Sequence, residues 1–271
     1  MSLIGEGTYG KVYRPHKPCG TKMHKNAVGK VFRDFDDFSD ELQIVKQVEQ
    51  INSKHEFSIP FLEACPKNLQ LIYADGGENL YDFSIDSNLS EFKRLLKLFS
   101  HICNGINVLC KNNLVHQDIK LENIVYNSKQ NKLYLIDFGL MTHKSQIYIK
   151  ENAGFLNYNY VAFPPEYKCY MYPDSFAIFY KMFAKNFSRS FFAFIKRIYK
   201  NYRADLKLLH SSKKYMPDKI DVYSLGMVLV YLYQKFEMKD KAVETAICNM
   251  ICFDPVKRWS AAQAAEFFAS L

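Results

Sequence analysis

His116-Gln117-Asp118-Ile119-Lys120-Leu121-Glu122-Asn123 is followed, twenty-one residues after its histidine, by Asp137-Phe138-Gly139. Between them lie two runs rich in β-formers, Asn123 to Tyr126 and Lys132 to Ile136, joined by the polar stretch Asn127-Ser128-Lys129-Gln130-Asn131. That pattern predicts a β-hairpin. A hairpin brings its ends together, so Asn123 and Asp137 are expected side by side, with Asp118 on the loop just before. One carboxylate can then accept a proton, while a carboxylate and an amide offer oxygens to a hard cation such as Mg2+. Lys120 adds a positive charge two residues from Asp118. Phosphoryl transfer needs this set, because its catalysis is mostly positioning and charge neutralisation.

The chain has 271 residues, 48% hydrophobic and 24% charged, a globular balance that excludes a disordered polyelectrolyte. The longest apolar run, Val222 to Tyr233, is too short to span a bilayer and reads as a buried helix. No secretory signal is expected, since glycine and charged residues appear within the first eleven positions. Seven scattered cysteines without a C-x-x-C pair predict reduced thiols and an intracellular, cytoplasmic protein. The net charge of +8 is unevenly placed. Tyr167 to Lys219 holds nine Lys, three Arg and three Asp, a net +9, and the remainder nets −1.

The loop, its spacing to Asp-Phe-Gly and the hairpin between them resemble the catalytic loop and metal-binding motif of eukaryotic-type protein kinases. Lys120 resembles the serine/threonine branch. The resemblance implies an α+β fold with two lobes in one kinase domain. A small antiparallel β lobe with one helix would cover about residues 1–73, a hinge 74–77, and a mostly α-helical large lobe 78–271. ATP and Mg2+ would be the cofactors and a protein Ser or Thr hydroxyl the acceptor. Asp118 would be the base and Lys120 would neutralise the γ-phosphate. Asn123 and Asp137 would hold the metal.

Other motifs follow in family order. Ile4 to Tyr13 fits G-x-G-x-x-G-x-V, with Gly5, Gly7 and Gly10 letting the backbone approach phosphates. Ala27 to Phe32 reads as a strand, with Lys30 where the family places its phosphate-binding lysine. Val12 and Val28 would form the adenine ceiling and Val125 its floor. Phe35 to Ile51 has helical spacing, with Phe38, Leu42, Val45 and Val48 on one face. Glu41 on this helix is the candidate partner of Lys30, and Glu49 is the alternative. Backbone groups of Ile72 to Ala74 would bond the adenine edge, with Leu71 guarding the back of the pocket. Ser90 to Asn112 reads as a long amphipathic helix that delivers the catalytic loop. Phe163-Pro164-Pro165-Glu166 resembles the end of the activation segment. Asp221 resembles the residue that holds the catalytic-loop backbone, and Arg258 the partner of Glu166.

The chain also departs from the family. Gln117 replaces the usual arginine, so activity is expected not to require phosphorylation of the activation segment, where Thr142, Ser145, Tyr148, Tyr158 and Tyr160 are the candidate sites. Asn159 and Ala162 replace threonine and tyrosine. Some fifty residues, 167–219, replace a short link. There, Phe176, Tyr180, Phe183, Phe187, Phe191, Phe194, Ile198 and Tyr202 recur every three to four residues, with Lys185, Arg189, Lys196 and Lys200 two residues after a member of the stripe. This predicts one or two helices with opposed aromatic and basic faces. The plainer reading packs the aromatics on the large lobe and leaves the lysines solvated. The sharper one makes the basic face a surface for anionic membrane, nucleic acid or an acidic partner.

Two rival functions remain at this level. A pseudokinase scaffold usually lacks one of Lys30, Asp118 or Asp137, and all three are present. A small-molecule phosphotransferase shares H-x-D-x-x-x-x-N but typically lacks the glycine loop, Lys120 and Asp-Phe-Gly together.

Overall fold

The computed structural model describes the chain apart from residues 8, 21–22, 85–88, 148–161, 186–188 and 213; of residues 89, 170, 171 and 183 it describes the backbone alone. Tyr148, Tyr158, Asn159, Tyr160 and Phe187 therefore lie outside the described residues, as does the side chain of Phe183.

Strands β1 (Ser2–Glu6), β2 (Gly10–Arg14), β3 (Ala27–Phe32), β4 (Phe61–Cys65) and β5 (Gln70–Ala74) form one antiparallel sheet in the order β1-β2-β3-β5-β4. Helix α1 (Phe35–Ile51) packs against it. Asp34 caps α1 by accepting from the Asp37 N–H at 2.9 Å, and Asp36 and Asp37 complement the positive end of the helix. Phe38 and Val45 meet Phe32 and Leu71 to make the small-lobe core. Glu41 is buried on the same helix, an expensive place for a carboxylate without a partner.

The β2–β3 connection lies against the sheet at Gly29. A Cβ at Gly29 would sit 2.5 Å from Gln70 Oε1 and 2.8 Å from His16 Cβ, so glycine there permits the close approach. Gln70 holds Lys17 by both backbone groups, at 2.9 Å each. A disulfide joins Cys19 to Cys65, with Cα atoms 5.7 Å apart. The expectation of seven reduced thiols is corrected here: forty-six residues separate this pair, and only the sheet brings them together. Cys103, Cys110, Cys169, Cys248 and Cys252 are free thiols.

The rest is mostly helical. Short β6 (Glu78–Asn79) leads to α2 (Leu89–Lys111) and β7 (Leu114–Val115), and then to the hairpin of β8 (Ile124–Asn127) and β9 (Lys132–Leu135). β10 (Thr142–His143) pairs with β7. On α2, Phe92, Leu95, Leu96, Phe99, Ile102, Ile106 and Leu109 are all buried, and the helix packs on α9 (Ala261–Ser270). Helix α7 (Ile220–Lys235) is buried nearly all round, and α8 (Lys241–Met250) packs on it. Among the described residues no helix is long and apolar enough to cross a membrane.

The basic segment forms α3 (Pro165–Met171), α4 (Phe176–Lys185), α5 (Arg189–Ile198) and α6 (Tyr202–Ser212) rather than one or two helices. Phe179, Ile195, Tyr199, Leu206 and Leu209 are buried, while Phe176, Tyr180, Phe191, Phe194, Ile198 and Tyr202 of the expected stripe are only partly covered. The two faces are not cleanly opposed. Lys196 Nζ lies 4.5 Å over the Phe192 ring and the Arg197 guanidinium 5.0 Å over Phe194. Lys185, Arg189, Lys196 and Lys200 are exposed.

Candidate active site

The β8–β9 hairpin pairs Ile124 with Leu135 and Asn127 with Lys132, so its open end carries Asn123 on one side and Asp137 on the other. The Ile136 N–H closes that end on Asn123 O at 3.0 Å. Asn123 donates Nδ2 to the Asp118 carbonyl at 2.9 Å and to Asp118 Oδ2 at 2.8 Å. Lys120 Nζ donates to the same Oδ2 at 2.8 Å. Asp118 is buried, and burial raises its pKa above the ordinary carboxylate value against the pull of Lys120. The loop backbone is held from α7, where Asp221 accepts the His116 N–H at 2.7 Å and the Gln117 N–H at 3.0 Å. The His116 ring packs at a tilt against Phe138, centroids 4.8 Å apart, which couples the loop to Asp-Phe-Gly.

A second chain of charges meets this one. Lys30 Nζ lies 2.5 Å from Glu41 Oε2 and 2.8 Å from Asp137 Oδ1. Glu41 is thus the partner that α1 supplies. Glu49 turns away, accepting the Phe61 N–H at 3.3 Å. Burial pushes Glu41 up to about 7, with Lys30 opposing and Asp137 adding to the rise. Burial also works against the charged form of Asp137, but the Lys30 ammonium prevails and holds that carboxyl below its usual range. Asp137 takes a left-handed backbone, φ 59°, a strained conformation of the kind kept at functional turns.

The β1–β2 hairpin sits beside Lys30, with Val12 directly across from it in the sheet. The Gly7 N–H bonds Gly10 O at 2.9 Å and closes the turn. Gly10 is glycine for a second reason: a Cβ would lie 2.4 Å from Val31 O. Val28 and Val125 are buried, and Gly76 passes close against Val125, where a Cβ would come within 2.6 Å of Cγ2.

Leu71 pairs with Lys30 across the sheet and is buried with Phe32, Phe38 and Val45. Tyr73, two residues on and on the same strand face, lies against the same cluster: burial first, then the Glu41 and Asp137 carboxylates, push its hydroxyl well above the ordinary value. Ile72 lies inside the sheet between Gly29 and Glu63, and the Ala74 N–H is already bonded to Pro60 O at 2.9 Å. The Asp75 N–H is likewise bonded, to Asn26 O at 2.8 Å, and the Gly77 N–H to Asp75 Oδ1 at 3.0 Å. Arg14, at the end of β2, binds Asp75 Oδ1 at 2.6 Å and the Gly77 carbonyl at 3.1 Å. Sequence reasoning missed the bond between Arg14 and Asp75 and the approach of the Tyr73 side chain to Glu41. Strand periodicity offers Leu71 and Tyr73 equally, and nothing local joins Arg14 to a residue sixty-one positions away.

The donor set fits a nucleotide-bound Mg2+. Asn123 spends its amide N–H groups on Asp118, which leaves its oxygen as the ligand atom, and Asp137 is held ionised. Both offer oxygen, the ligand a hard cation prefers. Among the described residues no group of three or more His, Cys, Asp or Glu could hold a metal.

The protein kinase domain model matches residues 1–167 of this chain. The chain belongs to the protein kinase family. Among curated proteins it is similar to myosin light chain kinase 3 of Homo sapiens, 29% identical over 177 residues, covering 60% of this chain and 21% of that one. Myosin light chain kinase family member 4 of Homo sapiens is 28% identical over 178 residues, covering 60% of this chain and 45% of that one. NUAK family SNF1-like kinase 2 of Homo sapiens is 27% identical over 146 residues, covering 52% and 22%. The chain thus spans less than half the length of these kinases. The kinase-domain match ends at Tyr167, where the basic segment begins. Beyond it, Arg258 reaches back to Glu166 with a two-point ion pair, Nη1–Oε1 2.7 Å and Nη2–Oε2 3.0 Å.

Proposed function

We propose that this kinase transfers the γ-phosphoryl group of ATP to serine or threonine hydroxyls of protein substrates. The reading rests on one observation: Lys120, Asn123 and Asp118 form one hydrogen-bonded unit, and Lys30, Glu41 and Asp137 form another beside it, at the same open end of the hairpin. Lys30, held by Glu41, grips the α- and β-phosphates. Asp118 orients the acceptor hydroxyl and takes its proton, and its raised pKa makes it a stronger base than a free aspartate. Lys120 offsets the charge of the γ-phosphoryl group. Asn123 and Asp137 would hold Mg2+, which would supply neutralisation of the phosphate charge.

The reading includes independence from activation-segment phosphorylation. Gln117 is neutral, and its side chain is spent on Leu140 O at 2.8 Å and on the Tyr167 hydroxyl at 3.1 Å. It has no charge with which to bind a phosphate. Radiolabelled ATP with mixed protein substrates, followed by phosphoamino-acid analysis, is expected to yield phosphoserine and phosphothreonine. Enzyme first stripped by a phosphatase should keep most of its activity, with Thr142 and Ser145 among the sites stripped. ATP binding without turnover would leave a scaffold. Label appearing in small molecules alone would point to the phosphotransferase reading.

The exposed cations of α4 and α5 and the following Lys200 support a further part of the proposal, an anionic docking surface. Reversing Lys185, Arg189, Lys196 and Lys200 to Glu should therefore abolish low-salt binding to vesicles containing anionic lipid or to nucleic acid, while moving Tm little. Binding by the unaltered protein should weaken steeply with salt. Equal, negligible binding by both proteins would leave the helices with a structural role only.

A further inference from the structure

Gln117 sits where four elements meet. Its backbone N–H is held by Asp221 of α7, its Nε2 donates to the carbonyl of Leu140, and its Oε1 accepts from Tyr167 at the start of α3. Leu140 lies three residues beyond Asp137, and Tyr167 lies next to Glu166. The two side-chain bonds of Gln117 therefore tie the catalytic loop to both ends of the activation segment.

The backbone of Gln117 is left-handed, φ 66°, which a non-glycine residue adopts only when its surroundings over-determine it. Three hydrogen bonds on one residue do so here. Asp118 is the next residue, so the direction of its carboxylate follows from this conformation.

Tyr167 is itself tightly enclosed. Its ring is fully buried with Val115, Ile147, Phe163 and Ile220, and its neighbour Glu166 is gripped by Arg258. An enclosed phenol thus aims its hydroxyl at the side chain next to the base, while Lys120 and Asn123 hold the carboxylate itself.

We propose that the Tyr167 hydroxyl is a positioning group for catalysis: acting through the Gln117 amide, it holds Asp118 and the Asp137 loop in register without any phosphate. This rests on the kinase reading above. A neutral amide bonded on both sides supplies a connection that is always present and needs no modification to form. The plainer alternative is that Tyr167 only fills the core, in which case the ring matters and the hydroxyl does not.

Tyr167→Phe separates the two, because it removes one oxygen and keeps the ring. With the purified full chain, kcat is expected to fall on the order of 10–10²-fold, the size of effect that a small misplacement of a reacting group produces. KM for ATP should change little, because Lys30 and Glu41 are untouched, and Tm should fall only slightly. Gln117→Ala should lower kcat at least as far, and adding Tyr167→Phe to it should cost nothing more, since both remove the same bond. Gln117→Asn, too short to span both partners, should not rescue. A Tyr167→Phe enzyme with unaltered kcat, or fully additive losses in the double variant, would overturn the proposal.

Amide hydrogen exchange gives a readout that needs no turnover. Tyr167→Phe should speed exchange at Gln117 and Asp118 while leaving α2 and α9 unchanged. An inactive wild-type protein would sink the kinase reading, and the exchange pattern would still decide the relay. Unchanged exchange across the loop would overturn the relay even in an active enzyme.

Discussion

Asp118→Asn is expected to lower phosphoryl transfer roughly 10²–10⁴-fold, the usual worth of a positioned acid–base group. The substitution is nearly isosteric, and an amide oxygen at this position can still accept from Lys120 and Asn123, which donate to Oδ2 at 2.8 Å each. The Asp221 bonds to the loop backbone do not involve the Asp118 side chain. The fold and nucleotide binding should therefore survive, and the loss should appear in kcat under single-turnover conditions. What disappears is the negative charge and the proton acceptor. Nucleotide affinity measured alongside serves as the control, since Lys30, Glu41 and Asp137 form a separate unit. A variant that turns over at the wild-type rate would show that the base lies elsewhere.

The largest effect on stability is expected at Arg258. Glu166 and Arg258 are both 0% exposed, and the guanidinium also donates to the carbonyls of Cys252 at 2.9 Å and Lys219 at 3.1 Å. It lies 5.0 Å from the Tyr223 ring as well. Arg258→Ala would leave a carboxylate buried without its cation and two carbonyls without their donor. A loss of about 3–5 kcal/mol follows, because an uncompensated buried charge costs more than the pair itself contributes. Denaturant unfolding should show it as a lower midpoint. Arg258→Lys should recover only part of the loss, because an ammonium cannot make the parallel two-point contact. Removing both charges with apolar residues of similar volume should be less damaging than removing one. A loss under about 1 kcal/mol would mean that this ion pair does not anchor the activation segment.

Much of the site was legible because its geometry is local. The β8–β9 hairpin is written in alternating residues around a polar turn, and its closure alone places Asn123 beside Asp137. Helix α1 runs from Phe35 to Ile51, the span its periodicity predicts, and that period is what carries Glu41 toward the sheet. The buried face of α2 is likewise written every three to four residues. Where the pattern within an element decides the outcome, sequence sufficed, because backbone geometry converts spacing into direction.

Where several elements had to close on one another, sequence did not suffice. Leu71 and Tyr73 share a strand face, and only the packing of α1 decides which fills the core and which reaches Glu41. The aromatic stripe of the basic segment assumed one helical phase, and the packing of the separate helices buries Phe179 and Ile195 instead. Cys19 and Cys65, Arg14 and Asp75, and Gln117 and Tyr167 lie forty-six, sixty-one and fifty residues apart. No local period links such pairs; their contacts exist because the sheet and the helices pack in one arrangement. Sequence alone sufficed for the family, the α+β architecture and the positions of the charged residues. Tertiary structure alone decided which side chains hold those charges in place, because a hydrogen bond depends on ångström-scale approach between chain segments whose separation no repeat encodes.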